Sequence, residues 1–538
     1  MIQAKNGSGM LRSKYFLYAT EFFAGMSVMA IELGASRLLA QYFSSSQIVW
    51  TIIIGTIMIA MAIGNVWGGR MADRDASPDR LYRRLMVAAA WTAAIPFAGK
   101  YVIMAISALL ALFVEQHFLV WAAFAACFVI FVFPLLLLGT VTPSLAKYVM
   151  DNLEDNGKNI GNLGALNTIG SIIGTFVPTF VTIPAVGTAV TFLIFAAILF
   201  LLSLTYFISV RRQGKRCLAA AVLLAVCAVG GVNSRFAFWE QTLLYEGESI
   251  YNYLQVRETA DSVILSTNVL FGVQSVMMKD ANLTGMYYDY ALAAPLLAGI
   301  NETQSAEVLI LGLGTGTYAA QCGRYFPQAR VTGVEIDERI VQLAQTYFEL
   351  PNTVEAVVYD GRAYLADSEA RYDVIMVDAY QDITIPFQMS SVEFFQEVRE
   401  HLTPNGVMVV NMNMHSDSEG AINQYLADTI GHVFPAVYTA EVTGTTNRIL
   451  LAAEEGDLAA QLQNTIPQIH DQELARMMAQ TANHLQPYQS SGKLLTDDRA
   501  PVELLGMRAI DELIRDELTY YRAILEEAGI SGLLHALT

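Results

Sequence analysis

The sequence predicts a multi-pass α-helical membrane domain followed by an α/β domain with a doubly wound, Rossmann-like sheet. Apolar residues make up 54% of the 538 residues and charged residues only 15%, although a soluble globular chain usually has about a quarter charged residues. Charge is also divided unevenly, because residues 1–234 contain 16 Lys and Arg against 9 Asp and Glu, whereas the rest contains 16 against 41. From residue 306 onward, short strand-like runs alternate with helix-like stretches. These observations indicate two different domains in series.

We expect three parts in the chain. Residues 1–234 form the transmembrane domain, residues 235–300 form a linker and a small β-hairpin lid, and residues 301–538 form the Rossmann-like domain. The excess of acidic groups after residue 234 argues against nucleic acid as a partner, because carboxylates repel phosphate. Four cysteines without a Cys-x-x-Cys pair indicate reduced thiols and no structural zinc, so no metal is expected.

The transmembrane domain is predicted from apolar runs of the length that a membrane requires, about 20 residues. Glycine pairs four residues apart, Gly64 with Gly68 and Gly170 with Gly174, suit helices that pack closely in lipid. The lipid bilayer of the inner (plasma) membrane is therefore an expected partner. Seven runs qualify, of which the last is the shortest: 16–40, 47–69, 85–113, 117–142, 160–186, 187–209 and 217–232.

Basic loops predict the orientation of these spans, because positive charge marks the cytoplasmic side of a membrane. The loops 70–84 and 211–216 are rich in Arg and Lys, as is the N-terminal tail. Six spans separate the tail from the loop 211–216, so all three basic segments lie on one side. A seventh crossing at 217–232 would then place the acidic half outside the cytoplasm.

The acidic half has the alternation that is typical of a parallel, doubly wound sheet. Helix-like stretches lie near 316–326, 338–349 and 391–402. A separate region at 249–280 has short strands without a helical period, and we interpret it as the lid. Seven strand-like runs are expected in the sheet: 306–313, 329–337, 354–360, 372–379, 406–413, 436–442 and 447–453.

Polar residues stand where the first four of these strands end, and ligands of such sheets bind at the carboxyl ends of the strands. In chain order they are the glycine-rich turn 312–316, Glu335, the pair Asp360-Gly361, and Asp378. A glycine-rich turn with an acid about 20 residues later is a nucleotide-binding signature. Thr317 replaces the third glycine of the dinucleotide form, which favours an adenosyl-sulfonium ligand over a nicotinamide cofactor.

With these motifs the chain resembles the spermidine synthase (polyamine aminopropyltransferase) family, in the bacterial form that is fused to multi-pass membrane regions. The resemblance covers roughly residues 246–505 and includes the late segment Thr496-Asp497-Asp498. It implies S-adenosylmethionine or its decarboxylated form as the co-substrate, without a metal. The residues that correspond to donor-binding positions are Gln274, Gly312, Gly314, Thr315, Gly316, Glu335, Asp360 and Gly361.

The resemblance also implies the reaction. A small-molecule amine attacks the carbon next to the sulfonium, and methylthioadenosine leaves. Asp378 is expected to orient the amine or to accept its proton, and Tyr287 is expected to act beside it in catalysis. The residues that correspond to the acceptor side are Asn252, Tyr288, Asp289, Tyr380 and Asp382.

Three departures from the family pattern fall on groups that would hold an amine. Thr315 replaces the aspartate of the glycine-rich turn, Gln381 replaces the second catalytic aspartate, and Phe271 replaces the aspartate of a Leu-Asp-Gly stretch. Two alternatives to aminopropyl transfer therefore stay open. One is an enzyme that uses intact S-adenosylmethionine for methyl transfer, or that cleaves or cyclises its side chain. The other is a transporter of small metabolites or polyamines with a nucleoside-sensing domain.

We expect the acidic half to lie in the cytoplasm, because adenosyl-sulfonium donors are cytosolic metabolites. That placement requires an even number of crossings. Either the run 217–232 does not cross, or the run 85–113 breaks at Pro96–Gly99 and crosses twice. The sequence leaves the oligomeric state open, and a homo-oligomer is compatible with it.

Overall fold

Two units make up the structure, a computed structural model: Met1–Gln241 is helical, and Thr242–Thr538 contains two β-sheets with helices around them. The division follows Gln241, seven residues after the boundary expected from composition. The residues that the structure describes are 14–43, 46–75, 77–114, 116–152, 156–211, 213–232, 235–269, 273–379, 385–413 and 419–537.

The first unit consists of long apolar helices with favourable starts. The hydroxyl of Ser46 accepts a hydrogen bond from the Val49 amide at 3.3 Å, and Pro78 occupies the first turn of another helix, where its missing N–H costs nothing. The helices are Lys14–Phe43 (α1), Gln47–Arg74 (α2), Pro78–Ala111 (α3), Phe118–Gly139 (α4), Val141–Asn152 (α5), Asn156–Val177 (α6), Ile183–Val210 (α7) and Gly214–Val232 (α8), with a π-helical turn Pro178–Thr182 between α6 and α7.

Helices of this unit are long enough to cross a membrane. The segment Gly157–Val210 has 54 residues, or about 80 Å of helix, against about 30 Å of hydrocarbon. It does not run straight, because Gly187 leaves the helical conformation at φ 79°. By length and composition, the described residues contain six candidate spans: Lys14–Phe43, Gln47–Arg74, Pro78–Ala111, Phe118–Met150, Gly157–Val210 and Gly214–Val232.

Glycines let these helices approach each other closely, as the spacing predicted. A Cβ on Gly170 of α6 would collide with the backbone of Phe22, and a Cβ on Gly174 would collide with that of Met26, both on α1. The second glycine pair, on α2, meets the end of α4 in the same way. Small residues allow backbones to pack this closely in lipid.

The structure removes one of the two alternatives that would give an even number of crossings. The run 85–113 does not break near Pro96, because α3 continues through this residue. The last apolar run forms α8, whose Gly230 and Gly231 lie against Phe97 and Pro96 of α3. A broken α3 therefore cannot supply the extra crossing that the cytoplasmic placement would require.

The lid of the second unit is an antiparallel sheet. Its strands are Leu243–Glu248 (β1), Tyr253–Glu258 (β2), Ser262–Ser266 (β3) and Ser275–Met278 (β4), paired in the order β1-β2-β3-β4. Val256 and Leu265 of its buried face pack on Ile340 and Leu343 of the main domain. The predicted hairpin is thus a four-stranded meander.

The main sheet contains the predicted strands and a short edge strand that was not predicted. They are Ala306–Leu311 (β5), Ala329–Glu335 (β6), Glu355–Val358 (β7), Tyr372–Val377 (β8), Leu402–Met412 (β9), Ala436–Glu441 (β10), Arg448–Ala453 (β11) and Gln486–Pro487 (β12), in the order β12-β10-β11-β9-β8-β5-β6-β7. Strands β5 to β9 are parallel, whereas β10 and β11 pair antiparallel. A short turn joins β10 to β11, and a connection of that kind requires antiparallel strands.

Helices cover both faces of the main sheet, so alternate residues of each strand enter two separate cores, as Val308 and Leu309 of β5 do. Strand β5 has β6 on one side and β8 on the other, and this switch in strand order opens a crevice at its carboxyl end. The helices are Tyr287–Ala291 (α9), Ala293–Leu297 (α10), Thr317–Tyr325 (α11), Glu338–Tyr347 (α12), Gly361–Asp367 (α13), Val392–Glu400 (α14), Ile422–Val433 (α15), Leu458–Thr465 (α16), Gln472–His484 (α17) and Val502–Leu537 (α18).

Candidate active site

A cavity of about 290 Å³ lies at the carboxyl ends of β5, β6 and β8. Its walls combine apolar side chains with a few polar groups, which is typical of a small-molecule site. Of the residues proposed from the sequence, those that line it are Asn252, Gln274, Tyr288, Gly312, Gly314, Glu335, Asp360, Gly361 and Asp378.

The glycine-rich turn after β5 requires glycine at its first position. Gly312 has φ 93°, and a Cβ there would collide with the backbone carbonyl of Asp378. Gly314, with φ 57°, turns its amide toward Glu335 and donates a 3.0 Å hydrogen bond to that carboxylate. The turn therefore brings backbone, rather than side chains, up to the cavity.

Glu335 is a buried acid that shapes the turn and faces the cavity. Its other oxygen accepts a hydrogen bond from the Asp337 amide at 3.1 Å. Burial raises the pKa of Glu335 to about 6, although the two backbone amides act in the opposite direction. The group is therefore held in place and remains able to accept a hydrogen bond from a bound ligand.

Two neighbouring acids have capping roles. Asp360 accepts a hydrogen bond from the Ala363 amide at 2.9 Å and so begins α13, while it also lines the cavity. Asp337 caps α12 through the Arg339 amide at 3.0 Å. Asp337 also accepts a hydrogen bond from the side chain of Asn252 at 3.1 Å, which ties the lid to the end of β6.

Asp378 lies in the cavity with a hydrogen-bond donor on each carboxylate oxygen. The Tyr287 hydroxyl donates to Oδ2 at 2.6 Å, and the Asn411 amide donates to Oδ1 at 2.9 Å. Asn447 in turn donates to the side-chain oxygen of Asn411 at 2.8 Å, which orients the amide nitrogen of Asn411 toward Asp378. Sequence reasoning missed both asparagines, although Asn411 is a polar residue at the end of an apolar strand.

The pKa of Asp378 is raised to about 7, because the effect of burial outweighs the hydrogen bonds from Tyr287 and Asn411, which lower it; the nearby charge of Glu335 adds a smaller rise. The same burial, together with the Asp378 charge, raises the pKa of Tyr287 well above its ordinary value, so its phenol stays protonated and acts as a donor. A carboxylate that titrates near neutral pH suits a group that takes up a proton.

Tyr288 and Gln274 connect the residues around Asp378 to the lid. The Tyr288 hydroxyl donates to the backbone carbonyl of Gln274 at 3.1 Å, and its ring lies 4.0 Å from that of Tyr287, centroid to centroid. Tyr288 and Gln274 both line the cavity. Sequence reasoning missed further lining residues, among them Thr267, Ser275, Ile336, Ile340, Pro386, Gln388 and Met389.

Six of the proposed residues are not among those that line this cavity. Tyr287 does not line the cavity but donates a hydrogen bond to Asp378, which does. Asp289 is buried, and it accepts hydrogen bonds from the Thr284 and Gly285 amides of its own loop and from Gln321. Thr315 and Gly316 line a separate depression beside β4 and α11. Tyr380 and Asp382 lie outside the described residues, as do Phe271 and Gln381.

Within the described ranges, no group of three His, Cys, Asp or Glu side chains could hold a metal ion.

This chain is similar to proteins that carry a spermine/spermidine synthase domain, and that match covers residues 294–447. The probable polyamine aminopropyl transferase of Bifidobacterium longum is 52% identical over 351 residues, which are 62% of this chain and 78% of the relative. The polyamine aminopropyltransferase of Vibrio vulnificus is 27% identical over 300 residues, or 51% of this chain and 94% of the relative. The crystal structure of a probable spermidine synthase from Corynebacterium glutamicum matches with a TM-score of 0.37 at 22% identity, over 47% of this chain and 91% of that chain.

Proposed function

Because this chain belongs to the polyamine aminopropyltransferase family, we propose that its second unit transfers an aminopropyl group from decarboxylated S-adenosylmethionine to a small amine. In this reaction the amine nitrogen forms a bond to the carbon next to the sulfonium, and the carbon–sulfur bond breaks. Methylthioadenosine leaves, and the amine loses one proton. The protein has to align the two reactants and accept that proton.

The arrangement around Asp378 is the observation that supports this reaction best. Its carboxylate faces the cavity, and its pKa of about 7 leaves a large fraction ionised at neutral pH. Tyr287 and Asn411 hold both oxygens from behind. We infer that Asp378 orients the attacking amine and takes up its proton.

The other polar groups of the cavity suit the nucleoside of the donor. Glu335 lies about 20 residues after the glycine-rich turn, the spacing at which an acid accepts hydrogen bonds from ribose hydroxyls. Asp360 and the adjacent Gly361 line the same cavity one strand further along. We infer that Glu335 binds the ribose and that Asp360 accepts a hydrogen bond from the adenine amine.

A second candidate reaction uses intact S-adenosylmethionine. Thr315 does not line the cavity itself, but it follows Gly314, which does, and it stands where the family has an aspartate. No carboxylate in this turn therefore repels the carboxylate of the intact donor. The Thr315 hydroxyl is buried and forms no hydrogen bond with the described residues. This position therefore lacks the acid that would enforce the decarboxylated donor.

Products decide between these reactions. The purified full chain is incubated with either donor, with and without diamines and polyamines, and the products are identified by mass spectrometry. We expect methylthioadenosine and an aminopropylated amine from the decarboxylated donor, and no product from an Asp378→Asn variant. Methylated, cleaved or cyclised products from the intact donor would instead support the second reaction. Binding of methylthioadenosine without turnover of either donor would support a nucleoside-sensing domain.

We also propose that the first unit holds the enzyme in the plasma membrane. Its six candidate spans and its closely packed glycines suit a lipid environment. The chain should remain in the membrane pellet after extraction with alkaline carbonate. Release into the supernatant would contradict this location.

A further inference from the structure

The helices of the first unit run between two ends, and contacts show which residues share an end. We call the end of this unit at which α1 begins the first end, and the opposite end the second end. Tyr18 of α1 donates to Asn159 of α6 at 2.6 Å, and Thr20 of α1 is hydrogen bonded to Tyr82 of α3 at 2.9 Å. The starts of α1, α3 and α6 therefore lie together at the first end. These three helices run in the same direction, because later residues of each also meet. Leu38 of α1 lies against Gly99 of α3, and Met26 of α1 lies against Gly174 of α6.

Helices α2, α4 and α7 return to the first end. Asp73, near the end of α2, forms an ion pair with Lys147 of α5 at 3.6 Å, and α5 directly follows α4. Tyr206, near the end of α7, donates a hydrogen bond to Asp79 at the start of α3. The loops that follow these three helices thus lie at the same end as the start of α1.

The 54-residue segment therefore consists of two crossings rather than one. Helix α6 runs alongside α1 from Tyr18 to Met26, and Phe192, in the first half of α7, lies against Gly34 of α1. Helix α7 then returns until Tyr206 stacks on Tyr82, with ring centroids 4.3 Å apart. The turn between α6 and α7 lies at the second end.

Helix α8 leads the chain away from the first end. It begins shortly after α7 finishes there, and its 19 residues extend about 28 Å, close to the thickness of a hydrocarbon core. Beyond it, the Lys100 ammonium donates to the backbone carbonyl of Arg235 at 2.6 Å, and the hydroxyl of Tyr42 donates to that of Phe236 at 3.2 Å. Tyr42 is the next-to-last residue of α1, so the chain leaves this unit at the second end.

Positive charge is concentrated at the first end. Eleven of the Lys and Arg residues described in this unit lie at or near it, and three lie toward the second end. Positive charge marks the cytoplasmic side of a membrane protein. The first group is Lys14, Arg70, Arg74, Arg80, Arg83, Arg84, Lys147, Lys158, Arg211, Lys215 and Arg216, and the second is Arg37, Lys100 and Arg235.

We propose that the described helices cross the membrane seven times with the first end in the cytoplasm, so that the catalytic unit is connected on the extracytoplasmic side. This inference rests on the membrane location proposed above, and it is the opposite of the cytoplasmic placement that the sequence led us to expect. The amines available to the cavity are then those of the extracytoplasmic compartment. The adenosyl donor has to be delivered to that side.

Cysteine accessibility tests this orientation in the full chain. The four native cysteines are buried, so they give a low background. Single cysteines are introduced at exposed positions by Gln116→Cys at the second end, Lys215→Cys at the first end and Glu302→Cys on the catalytic unit. Spheroplasts are treated with a membrane-impermeant maleimide before and after permeabilisation.

We expect the Gln116→Cys and Glu302→Cys variants to be labelled in intact spheroplasts, and Lys215→Cys only after permeabilisation, with a labelling ratio of at least about tenfold. If Glu302→Cys behaves like Lys215→Cys, the catalytic unit is cytoplasmic and the orientation is refuted, while the membrane location stands. If Gln116→Cys and Lys215→Cys are equally accessible, the helices do not separate two compartments and the membrane location fails as well. Labelling does not depend on turnover, so neither result bears on the proposed chemistry.

Discussion

Replacing Asn411 with leucine should shift the pH dependence of the reaction. The substitution keeps a side chain of similar size but removes the amide that donates to Asp378 at 2.9 Å. That hydrogen bond favours the ionised carboxylate, so its loss should raise the pKa of Asp378 above the value of about 7. Because the reaction needs the ionised form, activity should be lost below the new pKa and should return at higher pH.

The size of the shift follows from the strength of one hydrogen bond to a charged group, about 1.5–3 kcal/mol. One pKa unit corresponds to about 1.4 kcal/mol, so we expect a rise of about one to two units. At pH 7, about half of the wild-type carboxylate is ionised, against about 9% to 1% in the variant, so kcat/KM should fall by about 5- to 50-fold.

The assay is the pH profile of kcat/KM for methylthioadenosine release, which reports the essential groups of the free enzyme. Asn423→Leu is the matched control, because Asn423 is also buried and its amide nitrogen has no hydrogen-bond partner among the described residues. Its profile should not move. An Asn411→Leu profile with an unchanged or lower acid-side pKa would refute the role assigned to Asp378. Uniformly reduced activity at every pH would show a structural effect instead.

Three further predictions follow from the same structure. Glu335→Gln should weaken methylthioadenosine binding by about ten- to a hundredfold in calorimetry, because one charge-assisted hydrogen bond is lost. The control variant Glu338→Gln, at an exposed position, should bind as the wild type does. If Glu335→Gln also binds with wild-type affinity, the ribose lies elsewhere. Gly174→Leu should lower the free energy of unfolding of the detergent-solubilised chain by about 1–3 kcal/mol, because the larger side chain overpacks the contact with α1. Gly164 faces open space, so Gly164→Leu should leave this free energy unchanged. Asp289→Asn should destabilise the chain by about 1–3 kcal/mol and leave methylthioadenosine affinity intact, and a selective loss of amine binding would contradict its assignment to the loop.

The sequence alone was sufficient to place Glu335, Asp360 and Asp378 around one cavity. Each follows a short apolar strand, and parallel strands present their carboxyl ends at a common edge. The same pattern of alternation predicted β5 to β9 with small errors at their ends. These features depend on residues that are close in the chain, so they can be read from local periodicity.

The donors to Asp378 could not be found in this way. Asn411 is 33 residues from Asp378, and Asn447 is another 36 residues further on. They meet because β9 lies beside β8 and β11 lies beside β9 in the folded sheet. Strand order of this kind, including the antiparallel β10 and β11, is decided by packing and by the connections rather than by any one segment.

Side-chain direction was also decided only by the folded structure. Tyr287, Tyr288 and Asp289 are consecutive, and the sequence assigned all three to the site. They form one helical turn, in which successive side chains are about 100° apart, so the two tyrosines face Asp378 and the lid while Asp289 binds the loop amides. The apolar runs of the first half likewise specified helices, but only their mutual contacts show that α6 and α7 fold back on each other and that α8 ends opposite the basic loops, because helix direction is a property of the packed bundle.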